Sequence, residues 1–232
     1  MVEIKGLEKF ASRDFPGHIS STVFVGGCNF RCPFCHNADL VLNPGRLPSL
    51  DLNLFLGYLD SRKGWLDGLC LSGGEPLLHE DIEVLARVIK DRGFLVKVDT
   101  NGSFPDRLEY LISQGLVDWL AMDIKAPLAR YPEVVRAEVD TGKIQQSVEL
   151  IRSCGLPYVF RTTVAPGLLD ESDLLEIAAW LRGASCFQLQ QFVPQNTVDP
   201  AFLKVEPYPA EKLRLWAEEL RPYFDEVLVE GV

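Results

Sequence analysis

No stretch of this 232-residue chain holds 18 consecutive apolar residues, which excludes a membrane-spanning helix of ordinary length. The opening Met1-Val2-Glu3-Ile4-Lys5 lacks the apolar core of a secretory signal, so a cytoplasmic protein is expected. Basic residues are in short supply: 23 Lys and Arg stand against 33 Asp and Glu, a formal net charge of −10. A nucleic-acid-binding face needs clustered cations, so nucleic acid is not an expected partner. The acidic excess is read as a soluble surface. Low-complexity segments and interdomain linkers are also missing. What remains is ordinary globular material, 47% hydrophobic and 24% charged, long enough to bury a core without disulfides. One domain over residues 1–232 is expected.

Apolar runs ending in polar residues alternate with segments of helical period. Strands are predicted at Ile19 to Val25, Leu66 to Leu71, Phe94 to Val98, Val117 to Met122, Tyr158 to Val164 and Cys186 to Phe192. Between them, apolar residues recur at i, i+3, i+4 and i+7: Leu52, Phe55, Leu56 and Leu59 in the first helix, Ile82, Leu85, Ala86 and Ile89 in the next. No helical period is visible from Asn37 to Ser49. Gly93, Gly115, Gly155 and Gly183 stand where a left-handed helix cap is wanted. Repeated strand-helix units imply a parallel sheet. About six are visible, short of the eight of a closed barrel. The expectation is an α/β partial (β/α)6 barrel, with a flat doubly wound sheet as the alternative. Residues 1–18 read as a lead-in loop, 19–192 as the barrel, and 193–232 as a C-terminal helix and terminal strand.

Three of the six cysteines, Cys28, Cys32 and Cys35, fall in one short loop after the first predicted strand. In a reducing compartment such a cluster is metal-binding or catalytic. Structural zinc wants four closed ligands; a second pair is absent, and His36 follows Cys35 too directly to join the same tetrahedron. Three thiolates suit an iron-sulfur cluster with one iron left open. Cys70, Cys154 and Cys186 are isolated in apolar settings and read as small hydrophobes. Other polar groups fall at predicted strand C-termini: Gly73-Gly74-Glu75, Asp99 to Asn101, Asp123 to Lys125 and Gln190-Gln191, with Arg161 inside a strand. In barrels and open α/β sheets that edge collects ligands.

Cysteines spaced by three and two residues, followed by His36-Asn37, resemble the radical S-adenosylmethionine (SAM) enzymes. The resemblance implies a [4Fe-4S] cluster on Cys28, Cys32 and Cys35, with SAM chelating the fourth iron and cleaved on reduction to a 5′-deoxyadenosyl radical. Gly73-Gly74-Glu75 resembles the family's Gly-Gly-Glu motif, whose backbone meets the SAM amino group. Asp99-Thr100-Asn101-Gly102 and Asp123-Ile124-Lys125 resemble elements of the glycyl radical enzyme activating group. There the two aspartates are implied to hold a monovalent cation beside the SAM carboxylate; an Asx-turn and a surface ion pair are the plainer alternatives. Arg161 is similar to an activating-enzyme arginine near SAM, though a salt bridge to a barrel carboxylate explains it as well. Asp14-Phe15-Pro16-Gly17 resembles that group's Asp-Gly-Pro-Gly and is expected in an exposed rim. The activator of pyruvate formate-lyase carries Leu-Pro-Tyr-His where this chain reads Phe192-Val193-Pro194-Gln195. Gly6 to Phe10 and Ala121 to Pro127 look most like the activator of anaerobic ribonucleoside-triphosphate reductase. The implied partners are a glycyl radical enzyme and a flavodoxin or ferredoxin-type electron donor. A radical SAM enzyme of small molecules, similar to the 7-carboxy-7-deazaguanine synthases, is the alternative. A non-catalytic iron-sulfur or zinc module leaves the strand-end row unexplained.

Overall fold

Strand-forming runs rich in Val, Leu and Phe and helices with one apolar stripe build a single sheet covered by helices. The computed structural model describes residues 2–232. Its strands are β1 (Ile4–Ala11), β2 (Ser20–Val25), β3 (Gly68–Gly73), β4 (Leu95–Thr100), β5 (Trp119–Asp123), β6 (Tyr158–Val164), β7 (Cys186–Gln191) and β8 (Glu226–Glu230). They lie side by side in chain order, β2 to β8 parallel and β1 antiparallel to β2. The sheet does not close on itself. The expected partial barrel is therefore present, with more strands than the sequence pattern displayed.

Helices α1 (Ala38–Leu42), α2 (Leu52–Ser61), α3 (Ile82–Lys90), α4 (Pro105–Ser113), α5 (Tyr131–Val135), α6 (Thr141–Ser153), α7 (Glu171–Trp180) and α8 (Ala210–Leu220) fill the crossovers. The stripe of α3 is buried as expected, with Ile82, Leu85, Ala86 and Ile89 all inside. In α2 the expected stripe narrows to Phe55 and Leu59, while Leu52 is 38% exposed and Leu56 only half-buried. The four predicted glycine caps all adopt positive φ. Among the described residues no helix is long and apolar enough to cross a membrane.

Three expectations need correction. The lead-in loop of residues 1–18 contains β1, whose register with β2 runs from Ile4 opposite Val25 to Ala11 opposite Ser20. As an edge strand it is largely half-exposed or exposed, so it lacks the period-2 apolar signal. The expected C-terminal helix and terminal strand are present as α8 and β8, but the sheet extends past the expected boundary at residue 192, because β8 pairs in parallel with β7. Finally, α1 begins directly after Asn37 but spans only 5 residues, too few to show a helical period.

Candidate active site

β2 carries the chain directly into the thiol loop, and the apolar residues between the cysteines hold that loop down. Phe30, Cys32 and Phe34 are all at least 94% buried. The Arg31 N–H donates to the Val135 carbonyl at 2.8 Å, and the Val198 and Asp199 amides donate to Cys35 and Pro33 carbonyls at 3.0 Å each. Segments far apart in sequence thus clamp the loop from two sides. All six cysteines are free thiols. Cys28, Cys32 and Cys35 line one cavity of about 510 Å³ at the C-terminal edge of the sheet. Burial pushes the Cys28 thiol up to about 11 and that of Cys32 to about 12, and raises Cys35. Metal loading must therefore displace protons from these sulfurs.

Gly73 and Gly74 are required by close packing. A Cβ on Gly73, whose φ is +118°, would lie 2.4 Å from the Val25 carbonyl oxygen; one on Gly74 would lie 1.8 Å from that of Gly27. The Gly74 amide donates to Val25 O at 2.9 Å and the Glu75 amide to Gly27 O at 2.8 Å. Asn37 Nδ2 donates to Gly73 O at 2.9 Å. The Gly-Gly-Glu turn therefore fastens the end of β3 to the thiol loop. Glu75 turns its side chain inward, accepting from the Leu77 amide (3.0 Å), Thr100 Oγ1 (2.8 Å) and the Asn101 amide (2.6 Å). Asn101 Nδ2 in turn donates to Asn29 Oδ1 at 2.9 Å and lies 3.8 Å from Cys28 Sγ. His36 is an exposed residue of the cavity wall.

A row of charges crosses β4, β5 and β6. Lys97 Nζ bonds Asp99 Oδ1. Arg161 donates from Nη1 to Asp99 Oδ2 at 3.2 Å and from Nε to Asp123 Oδ1 at 2.9 Å. Lys125 Nζ donates to Asp123 Oδ2 at 3.0 Å. Burial opposes ionisation of Asp99 and Asp123, but Arg161 and the lysines outweigh it and hold both carboxyls below the usual range. The salt-bridge explanation of Arg161 thus holds, with two carboxylates rather than one.

The cavity brings together Cys28, Cys32, Cys35, His36, Asn37, Gly73, Gly74, Glu75, Asp99, Asn101, Asp123, Lys125 and Arg161. Asp14 lines it as well, but Phe15 does not form an exposed rim. It is 99% buried and lies over Gly68, where a Cβ would meet its ring at 2.8 Å. Sequence reading missed two contributors. Glu230, at the end of β8, accepts from Gln188 and from Gln190 Nε2, the latter at 3.1 Å. Lys97 lies inside the apolar run of β4 and carries no strand-end signal, although it sits two positions before Asp99, on the same side of the strand.

The donor set fits a cluster. Three thiols lining one cavity are a donor set suited to a cluster in which each sulfur binds a separate iron. The four carboxylate oxygens of Asp99 and Asp123, where the cation is expected, each already accept from Lys97, Arg161 or Lys125, so the two aspartates stand as ion-paired groups.

A fold and edge of this kind define an enzyme working through a thiolate-held cluster. The chain belongs to the Radical SAM superfamily, which residues 22–181 match; its cofactors are a [4Fe-4S] cluster and SAM. It is 33% identical over 99% of its length, and 96% of the other protein, to a Methanocaldococcus jannaschii protein assigned provisionally as a glycyl-radical enzyme activating enzyme. It is 27% identical to the pyruvate formate-lyase-activating enzyme of Streptococcus mutans, over 84% of this chain and 78% of that one. Among solved structures, Streptococcus suis SuiB bound to S-adenosylmethionine shares the fold, with a TM-score of 0.69 at 14% identity. That match covers 88% of this chain and 48% of SuiB, so the chain spans about half the length of that neighbour.

Proposed function

We propose that this protein is a cytoplasmic activating enzyme that installs a glycyl radical on a partner enzyme, the anaerobic ribonucleoside-triphosphate reductase. When bound, the reduced cluster supplies the electron that splits SAM into methionine and a 5′-deoxyadenosyl radical. That radical takes a hydrogen atom from a glycine Cα of the partner, leaving 5′-deoxyadenosine and a glycyl radical. The electron comes from a flavodoxin or ferredoxin-type donor.

The observation that carries this reading is near end-to-end similarity to a provisionally assigned glycyl-radical enzyme activating enzyme, combined with Asp99, Thr100, Asn101, Asp123 and Lys125 lining the same cavity as the thiols. In this reading the thiol loop holds the cluster, and Asn37 and the Gly73–Glu75 turn set the wall against which SAM's methionine part lies. Lys125 and Arg161 present positive charge toward its carboxylate. Val193, 51% exposed and part of the cavity wall, offers apolar surface to an incoming glycine loop. The choice of reductase rests on the Gly6 to Phe10 and Ala121 to Pro127 runs.

The test is anaerobic reconstitution, reduction and incubation with SAM and the candidate reductase subunit. The expected result is a SAM-dependent EPR doublet on the reductase, lost when its radical-bearing glycine is replaced by Ala. SAM-dependent turnover of a small molecule with no protein radical would overturn the proposal.

A further inference from the structure

Asp99 and Asp123 face one cavity from neighbouring strand ends, the arrangement from which hard oxygen ligands cage a cation. Here that arrangement is already neutralised from within the chain. Lys97 is 98% buried, bonded to Asp99 Oδ1, 3.7 Å from Cys70 Sγ and 5.2 Å from the centroid of the Trp119 ring. Arg161 bridges the remaining oxygen of Asp99 to Asp123, and Lys125 occupies the last one. Ser72 Oγ adds a further donor to Asp99 Oδ2 at 3.3 Å. Two carboxylates thus face three cations, so the row carries net positive charge before any ion arrives. A potassium or sodium ion would have to share these oxygens with a buried ammonium or guanidinium, where like charges repel it.

We propose that the ammonium of Lys97, acting through Asp99 and Arg161, takes the place of the bound monovalent cation, so that this enzyme binds SAM without potassium or sodium. Lys97 is a positioning residue: it lies behind Asp99, whereas Arg161 and Lys125 line the cavity. The strand pairing sets this up. Lys97 stands opposite Trp119 on β5, Asp99 opposite Ala121, and Asp123 opposite Arg161 on β6, which lets Arg161 reach both carboxylates. The inference rests on SAM occupying this cavity.

Equilibrium dialysis of SAM with the reconstituted holoenzyme, in potassium chloride and in choline chloride at equal ionic strength, provides the test. The thallous ion serves as a direct NMR reporter of a potassium site. For the wild-type enzyme, SAM dissociation constants agreeing within about twofold and no saturable thallous site are expected, whereas a roughly tenfold preference for potassium, ~1.4 kcal/mol, would overturn the proposal. Lys97→Ala vacates the ammonium and leaves Asp99 open to an ion. SAM binding to this variant should weaken about tenfold in choline and recover in potassium, with a thallous site appearing. A variant that weakens equally in both salts, or in neither, would show Lys97 to be structural only and overturn the proposal. If the variant does not fold, the wild-type comparison decides alone. Wild-type enzyme that binds SAM in neither salt overturns both this inference and the assignment of the cavity to SAM.

Discussion

Cys32 and Glu75 show how single residues divide the labour of the site. Cys32 is nearly buried, yet Ala there removes only a sulfur from the packing, so Cys32→Ala should fold. It should lose cluster iron and SAM-dependent 5′-deoxyadenosine together, read by iron analysis and chromatography of the reduced enzyme. Retention of both would contradict its place as a ligand. Glu75 has a different task, gathering the end of β4 onto the turn after β3 through three donors. Burial pushes its carboxyl up from 4.5 to about 7, against those donors. A carboxyl raised on folding binds its proton more tightly in the folded protein than in the unfolded chain. Its contribution is therefore complete below pH 4.5 and lost as pH rises to about 7. In urea unfolding of the apoprotein, wild-type stability should fall relative to Glu75→Gln across that window by up to about 3 kcal/mol. Parallel pH profiles would contradict the assignment.

At the scale of elements, two glycines that look alike in sequence do different things. Gly93 follows α3 with φ +87° and open space around it, whereas a Cβ on Gly74 would run into the Gly27 carbonyl at 1.8 Å. Gly93→Ala should cost about 1–2 kcal/mol, the backbone preference alone. Gly74→Ala should cost about 3 kcal/mol or more, because the clash falls on backbone that cannot rotate away. Thermal unfolding of the two variants compares them directly, and equal costs would refute the clamp between β3 and the thiol loop. What was legible at this scale follows burial. The inner strands and the α3 stripe announce themselves because parallel strands are covered on both faces. β1 is a half-exposed edge, and α1 and α5 are 5 residues each, so none of them carries a period.

Over the whole molecule, the row of functional groups at strand C-termini was readable because each sits in polar residues that end an apolar run. The connections between them were not. Lys97 reaches Asp99 beside it, but Arg161 meets Asp99 and Asp123 across 62 and 38 residues, and Gln190 meets Glu230 across 40. Such partners exist only once the sheet register is set, which is why the aspartates read as cation ligands in sequence and as ion-paired groups in the fold. The same register gathers thiols, glycine turn and charge row around one cavity, the arrangement proposed to aim a radical at a protein glycine. The most direct measurement is isotopic. The reductase subunit is labelled with α-deuterated glycine, incubated anaerobically with the reduced enzyme and SAM, and the released 5′-deoxyadenosine is weighed by mass spectrometry. One deuterium in the 5′-deoxyadenosine, absent when the radical-bearing glycine is replaced by Ala, is the predicted result; unlabelled 5′-deoxyadenosine formed at the same rate would contradict it.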